Sequence, residues 1–452
     1  MEGISRRSRP GEPGRVAGEV EDGSIRFVTL DPGHFHAALV HQRVYPGVSR
    51  RIHVYGPLGP DLVAHLERIA LFNAREREPT NWEVEVHTGP DFFDRMRRER
   101  PGNVVVLAGR SRGKIDYILG SLEAGFHVLA DKPWIIEPEE FRALGEALDV
   151  AGRRGLLAYD IMTERYEITN ILQRELVRDP AVFGSPLPGS LEEPSVTMRS
   201  VHHLSKTVAG RPLRRPVWFF DTREQGEALA DVGTHLVDLS IWTLFPERAL
   251  DYRRDVEILA ASRWPTMLAR SEFERITGRP DFPPELRERV RDDALACDCN
   301  TRVHYTLGGI LIRLDVLWDV ASEHGDTHDA VYRGTLASIE VHQGAEERWQ
   351  PEVYVVPNRP ESGGEVRAAL EARLSGLREE RPGLEVEDQG HRLRIVIPDR
   401  YRVGHEFHFS EVTSRFLEYF ADPDRFPVWE NPNMLVKYFI TTQGTELSRS
   451  NG

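Results

Sequence analysis

The chain reads as an α/β protein. A doubly wound parallel sheet is expected over residues 25–160, followed over residues 161–452 by an α+β domain with a large, mostly antiparallel open sheet. Three observations predict this. Short β-branched runs alternate with helical stretches up to about residue 160, the spacing of βαβ units. Beyond that point strand-like runs follow one another with few helices between them, which favours antiparallel pairing. Finally, a lysine stands directly after a buried-looking strand, at Asp131-Lys132-Pro133. Open α/β sheets bind ligands at the carboxyl ends of their strands.

The elements follow in order. Residues 25–30 form a first strand, 31–36 a turn, and 37–43 open a helix. Strands are expected at 51–55, 82–86, 103–108, 126–130 and 156–159, separated by helices at 62–73, 90–99, 114–124 and 139–153. Gly125 ends the fourth of these βα units, as glycine commonly ends a helix. In the second half, 165–177 is helical and 195–201 extended. Further strands are expected at 256–261, 294–307, 309–318, 331–334, 338–342 and 393–396, with helices at 365–380 and 408–420. Residues 1–24 are polar and rich in Arg, Gly and Glu, and are expected to form a loose tail with no apolar signal core.

Size and composition narrow the function. At 452 residues the chain exceeds one ordinary core. Its 58 Lys and Arg against 72 Asp and Glu give a formal charge of -14, which argues against a general nucleic-acid binder. Arginines alternate with glutamates, the pattern of a salt-bridged surface. The two cysteines, Cys297 and Cys299, are too close for an ordinary disulfide framework and too few for a thiolate metal cage, so a reducing cytoplasmic compartment is expected. No apolar run is long enough for a membrane span.

The chemistry concentrates in three places. The first turn, Asp31-Pro32-Gly33-His34-Phe35-His36, has one glycine where dinucleotide sites want several, yet the helix behind it presents N–H groups to an anion. An ordinary strand-turn-helix remains the alternative. No carboxylate–histidine spacing supports a metal there, and none is expected. The second strand ends Tyr55-Gly56-Pro57, with neither an acid for a free ribose hydroxyl nor a clear base for a 2′-phosphate, so NAD and NADP both stay open. Lys132, restrained by Pro133, can steady negative charge on a substrate oxygen, or be a plain surface lysine. In Gly226–Asp238, Asp231, His235 and Asp238 recur at four and then three residues, on one helical face. His235 suits acid–base work near neutral pH. Asp231 would accept from His235 or substrate, and Asp238 would orient the imidazole. The bland reading is a buried, satisfied histidine.

Taken together, Asp31-Pro-Gly-His-Phe-His-Ala37, Ala124-Gly-Phe-His-Val-Leu-Ala-Asp-Lys-Pro133 and Gly226 to Asp238 resemble the glucose-fructose oxidoreductase and inositol dehydrogenase (Gfo/Idh/MocA) superfamily. Asp160-Ile-Met-Thr-Glu-Arg165 and Trp429-Glu-Asn-Pro-Asn-Met-Leu435 resemble its branch with a distinctive oxidoreductase C-terminal domain. The resemblance implies a Rossmann-like NAD(P)-binding domain and a dehydrogenase or reductase acting on a sugar, polyol or related compound. It carries the family's catalytic Lys, Asp and His onto Lys132, Asp231 and His235. It carries cofactor contacts onto Asp31, Gly33, His34, Phe35, His36, Gly109, Arg110 and Lys132. Asp131 replaces the Glu of the family's Glu-Lys-Pro motif. Around Gly109-Arg110 the family's Pro and His are missing, with Arg110 and Lys114 nearby instead.

Substrate contacts are expected from Asp160, Glu164, Arg165, Asp221, Gln225 and His235, with Tyr159 in the same wall. His202, His203, Lys206 and the loop His324-Gly-Asp326-Thr-His328 are polar enough to meet sugar hydroxyls, and Trp318 or Trp429 to stack on a sugar face. A homodimer or homotetramer is expected through the second sheet. Two other functions compete with net oxidoreduction: NAD-assisted glycoside hydrolysis or lysis with no net redox change, and non-catalytic ligand binding.

Overall fold

The computed structural model describes residues 23–208 and 211–451. The expected N-terminal tail, 1–24, lies almost wholly outside the described residues. The first sheet comprises β1 (Phe27–Leu30), β2 (Arg51–Tyr55), β3 (Glu83–His87), β4 (Val104–Leu107), β5 (His127–Asp131) and β6 (Ala158–Ile161). Its order is β3-β2-β1-β4-β5-β6, and every pairing is parallel. The sheet is flanked by α1 (His36–Leu39), α2 (Pro60–Ala74), α3 (Phe92–Glu99), α4 (Lys114–Glu123) and α5 (Phe141–Arg154). Strands covered on both faces lose polar alternation, and β1 and β4 are buried at every position. Phe27 and Val28 face opposite cores, as the two-residue strand period requires.

Strand order reverses between β1 and β4. Neighbouring loops part there, which opens a crevice at the strands' carboxyl ends. The turn after β1, the loop after β4 and the residues following β5 meet at this crevice.

The second half holds α6 (Ile168–Val177), β7 (Val196–His203), the small hairpin β8 (Thr207–Val208) and β9 (Arg211–Pro212), and α7 (Thr222–Gln225). Then come α8 (Ala228–Asp231), α9 (Gly233–Leu244), β10 (Val256–Ala269), α10 (Arg270–Thr277), β11 (Val290–Arg291), β12 (Ala294–Leu307), β13 (Ile310–Asp319), β14 (Thr327–Arg333) and β15 (Ala337–His342). The chain ends with β16 (Glu352–Pro357), α11 (Gly363–Gly376), β17 (Glu385–Asp388), β18 (Leu393–Val396), α12 (His405–Ala421) and α13 (Glu430–Ser450). The second sheet runs β10-β12-β13-β7-β14-β15-β16-β18-β17, with β11 on β12. Only β13 and β7 pair in parallel among its described strands. Its strands alternate buried and partly exposed positions, so one face packs on α6, α8 and α9.

Three departures from expectation have local causes. The first helix stops at Leu39 because the carbonyls of His41 and Gln42 accept Trp82 Nε1 and Arg75 instead of helical amides. The sixth strand starts two residues late because Leu156 N–H bonds to Ala151 O and closes α5. The long helix α13 shows no clear apolar stripe because its buried side interleaves Lys437, Thr441 and Thr445 with Met434, Val436 and Tyr438.

The last two helices return to the first sheet. Phe409, Val412 and Phe416 of α12 join the core on one face, and Met434 and Tyr438 of α13 join the other. Lys437 of α13 is 1% exposed and sits between Asp160 (2.9 Å) and Asp238 (3.1 Å). Arg165 donates to both oxygens of Asp238, at 2.6 and 2.7 Å, and to Glu430 at 3.0 Å. Removing one member of a buried ionic network leaves the others uncompensated. Lys437→Met should therefore lower unfolding free energy by about 3–5 kcal/mol in urea titrations; a loss below about 1 kcal/mol would show that the network is not load-sharing.

A second prediction concerns pH. His342 on β15 lies 3.4 Å from Asp329 and 2.8 Å from Glu340, and hydrogen bonds to both push its pKa up to about 9. A raised folded pKa stabilises fully below the unfolded value of about 6.5, and the gain fades as pH rises through about 9. His342→Gln should cost stability at pH 6 and little at pH 10, as checked by thermal melts at both.

Candidate active site

The site is built from Lys132 upward. Asp131 ends β5, and the chain passes through Lys132 into Pro133 at the crevice. Lys114, at the start of α4, is fully buried and donates to the carbonyls of Asp131 (3.1 Å) and Pro133 (2.9 Å). Burial lowers its pKa to about 8. This lysine braces the segment that carries Lys132.

Lys132 Nζ donates to Asp231 Oδ1 at 2.6 Å and to the Asp231 carbonyl at 3.1 Å. Both side chains are buried. Burial alone would favour their neutral forms, but the pair outweighs it. Asp231 and Asp131 hold the Lys132 pKa above its ordinary value, while Lys132 holds Asp231 well below the carboxylate range. A fixed ammonium–carboxylate pair results, with Gln225 also bonded to Asp231. Asp231 thus orients Lys132 rather than His235.

Asp231 ends α8 and His235 lies in the first turn of α9, with Val232 between the two helices. His235 is 9% exposed, and its buried Nδ1 has no hydrogen-bond partner. Burial, reinforced by the Lys132 charge, lowers its pKa to about 3. A neutral imidazole carries one donor and one acceptor nitrogen, and here Nδ1 is left unmet. Asp238 does not orient it, being taken by Arg165 and Lys437.

The first turn meets the same centre. His36 Nδ1 lies 2.9 Å from Asp131 Oδ2, and His34 Nδ1 lies 3.8 Å from the same oxygen. Burial holds both imidazole pKa values well below 6.5. The parallel sheet brings Asp131 to these histidines from 95 residues away. The Gly33 and His34 amides donate to Ala108 O at 3.2 and 3.0 Å. Gly33 lies so close to Trp218 and Gly109 that a Cβ would stand 3.3 Å from Trp218 Cζ2. Trp218 donates to Asp61 at 2.9 Å, and Arg110 stacks over its ring at 5.6 Å. Arg110 also reaches Asp61 and Glu224, which ties the loop after β4 to α2 and α7.

Beside this turn lies a cavity of about 240 Å³ lined by Gly33, His34, Phe35, Asp61, His65 and Arg68, among others. Both ring nitrogens of His65 are buried without a partner.

Some expected contacts lie elsewhere. The Asp160 carboxylate is sealed between Lys437 and Tyr438. Arg165 is spent on Asp238 and Glu430, with Trp429 against its guanidinium. Asp221 caps α7 and is held by both arms of Arg223. These three sit in the scaffold behind the crevice. Glu164 does approach the centre. It pairs with His405 at 3.3 Å, and against burial the His405 contact holds its pKa well below the usual range. Around Asp326, His202 (3.1 Å), His203 (3.2 Å) and Lys206 (2.7 Å) converge in a separate cluster. Both cysteines are free.

Residues 172–449 match the family model described as "Putative oxidoreductase C terminal domain". The chain belongs to the Gfo/Idh/MocA oxidoreductase superfamily, in the branch that carries this domain. A solved structure described as a putative oxidoreductase from Parabacteroides merdae superposes with a TM-score of 0.92 at 41% identity, covering 97% of this chain and 100% of that one. D-glucoside 3-dehydrogenase of Escherichia coli K12 is 32% identical over 152 residues, which span 32% of this chain and 36% of that enzyme. Levoglucosan dehydrogenase, solved with NADH and levoglucosan, shares the fold with a TM-score of 0.59 at 13% identity, over 95% of this chain and 98% of that one.

Sequence reasoning passed over His405, and it met Lys114 only as a residue near the Gly109-Arg110 loop, not as a brace for Lys132. The run Gly404-His405-Glu406-Phe407-His408 carries a signal, two histidines at helical spacing. Lys114 carries none, because its partners are backbone carbonyls. Lys114→Met should leave both carbonyls unmet and lower stability by about 2–3 kcal/mol in urea unfolding. Full stability in this variant would remove it from the scaffold of the site.

Proposed function

We propose that this protein is an NAD(P)-dependent dehydrogenase or reductase that moves hydride to or from a carbinol carbon of a sugar, polyol or related hydroxylated compound. The observation that carries the reading is the buried Lys132–Asp231 pair beside an unpartnered His235 at the strand-order reversal. The named dehydrogenase relative and the NADH-bound fold neighbour support the same reading.

The chain's own atoms fit a dinucleotide at this crevice. A Cβ at Gly33 would press on Trp218 at 3.3 Å, the cavity beside it is about 240 Å³, and His65 in its lining has both ring nitrogens unmet. Arg68 lies on the same cavity wall. Gly33, His34, Phe35, Gly109 and Arg110 would border the phosphates, with Asp31 and His36 behind them. Asp61 favours a free ribose hydroxyl and Arg68 a 2′-phosphate, so both cofactor forms enter the test. When bound, the nicotinamide supplies the hydride acceptor or donor.

The protein's part is protonic and electrostatic. His235, held neutral, takes the substrate hydroxyl proton during oxidation and returns it during reduction. The Lys132 ammonium, fixed by Asp231, stabilises negative charge on the same oxygen without reorganising. Glu164 and Gln225 stand at the edge of the centre as hydrogen-bonding groups for neighbouring hydroxyls.

Purified protein would be titrated with NAD, NADH, NADP and NADPH, then assayed for absorbance change with glucosides, free sugars and polyols. His235→Ala and Lys132→Ala should each lower kcat by about 10²- to 10⁴-fold while cofactor binding persists. Arg68→Ala should weaken cofactor binding and leave the melting temperature unchanged. Release of aglycone from glycosides with cofactor retained and no net reduction would replace oxidoreduction by redox-assisted cleavage. Absence of dinucleotide binding in the folded protein would overturn the proposal.

A further inference from the structure

The proton and hydride steps above run through Lys132, Asp231 and His235, and none of them passes through the imidazoles of His34 and His36 or the Asp131 carboxylate. Their ligand atoms all lie within 4.8 Å of one another. Two imidazole nitrogens face the same carboxylate oxygen, at 2.9 and 3.8 Å. A hydrogen bond from His36 to Asp131 accounts for the first distance. It does not account for the approach of His34, whose Nδ1 accepts only a long contact of 3.4 Å from the His36 amide. Ligand atoms bound at about 2.0–2.1 Å to a tetrahedral cation stand about 3.3 Å apart. The two observed separations bracket that value.

We infer that His34, His36 and Asp131 form a binding site for a divalent first-row transition cation. Two imidazoles and one carboxylate suit zinc, cobalt, iron or manganese, and leave positions open for oxygen ligands. Calcium and magnesium prefer all-oxygen shells. The three groups are presented by rigid parts, a turn locked to Ala108 and the end of a central strand. His36 is further held against Phe409, ring centroids 4.6 Å apart. The neighbouring Lys132 charge is compensated by Asp231 at 2.6 Å, so the formal charge of Asp131, Lys132 and Asp231 together is negative. A cation here would lie next to the Lys132–Asp231 pair, with its open positions able to take an oxygen of a hydroxylated ligand. The inference does not depend on dinucleotide binding.

A second cluster, His53, Glu85 and His87 on the neighbouring strands β2 and β3, also gathers three ligand atoms within 4.8 Å and is removed as a competing site. The test therefore uses full-length protein carrying His53→Ala and His87→Ala, stripped with a chelator. Zn²⁺ binding is measured by calorimetry, and Co²⁺ binding by its visible ligand-field bands. The expected result is one equivalent of either metal, with bands of a four- or five-coordinate site. Adding His34→Ala should weaken binding about 10- to 100-fold, and Asp131→Asn should do the same. His34 is the least buried of the three, so its variant is the one expected to keep a native melting curve. Absence of a one-equivalent site in the His53→Ala, His87→Ala background would overturn the inference. So would a site whose affinity is unchanged by His34→Ala and Asp131→Asn.

Discussion

The buried charge network of Asp160, Lys437, Asp238, Arg165 and Glu430 is the constraint on which the rest depends. Asp160 closes the first sheet, Asp238 lies one turn beyond His235 on α9, and Lys437 and Glu430 belong to the C-terminal helix. Charges this deep have lost their water, and each is tolerable only while the others stay in place. The network therefore fixes α9 against the first sheet, and with it the placement of His235 and Asp231 over Lys132. Apolar packing reinforces the arrangement, since α12 and α13 complete the two cores of the first sheet.

Within this frame the site works by contrast between two environments. The Lys132 ammonium has a carboxylate at 2.6 Å and keeps its charge, while His235 has no such partner and is held neutral by burial. Titratable groups driven apart in this way let a single crevice hold a charged ammonium and a neutral imidazole together at neutral pH. The first turn is closed rather than rich in glycine. Gly33 lies under Trp218, a residue from beyond the first sheet, so packing from outside that sheet closes the turn.

The legible parts of the sequence were those whose chemistry is local. The parallel sheet could be read from β-branched runs such as Val104–Leu107, because burial on both faces removes polar alternation. Lys132, Asp231 and His235 could be singled out because each sits in a short segment with its own turn chemistry. What could not be read was pairing across distance. Asp160, Arg165 and Asp221 look like substrate contacts beside the motifs, yet Asp160 and Lys437 are 277 positions apart in the numbering, and Arg165 and Glu430 are 265. Polar residues near a motif have the same appearance whether they face a ligand or a buried counter-charge. The helix α13 was hidden for a related reason, since its buried side mixes Lys437, Thr441 and Thr445 with apolar residues and so shows no apolar stripe.

The same limit explains the histidines of the first turn. Read alone, His34 and His36 are two residues apart on a turn, and the acid they meet in the fold is not among their sequence neighbours. The fold supplies the acid from β5, because β4 lies between β1 and β5 and the reversal of strand order leaves the ends of β1 and β5 facing one crevice. Asp131 is thus placed where it serves two neighbours at once, the imidazoles through its carboxylate and Lys132 through its charge. An acidic residue directly before the lysine is thereby more than a variant of a motif. Its carboxylate, carried at the strand end, stands 2.9 Å from His36, so this residue links the first turn to the segment that carries Lys132.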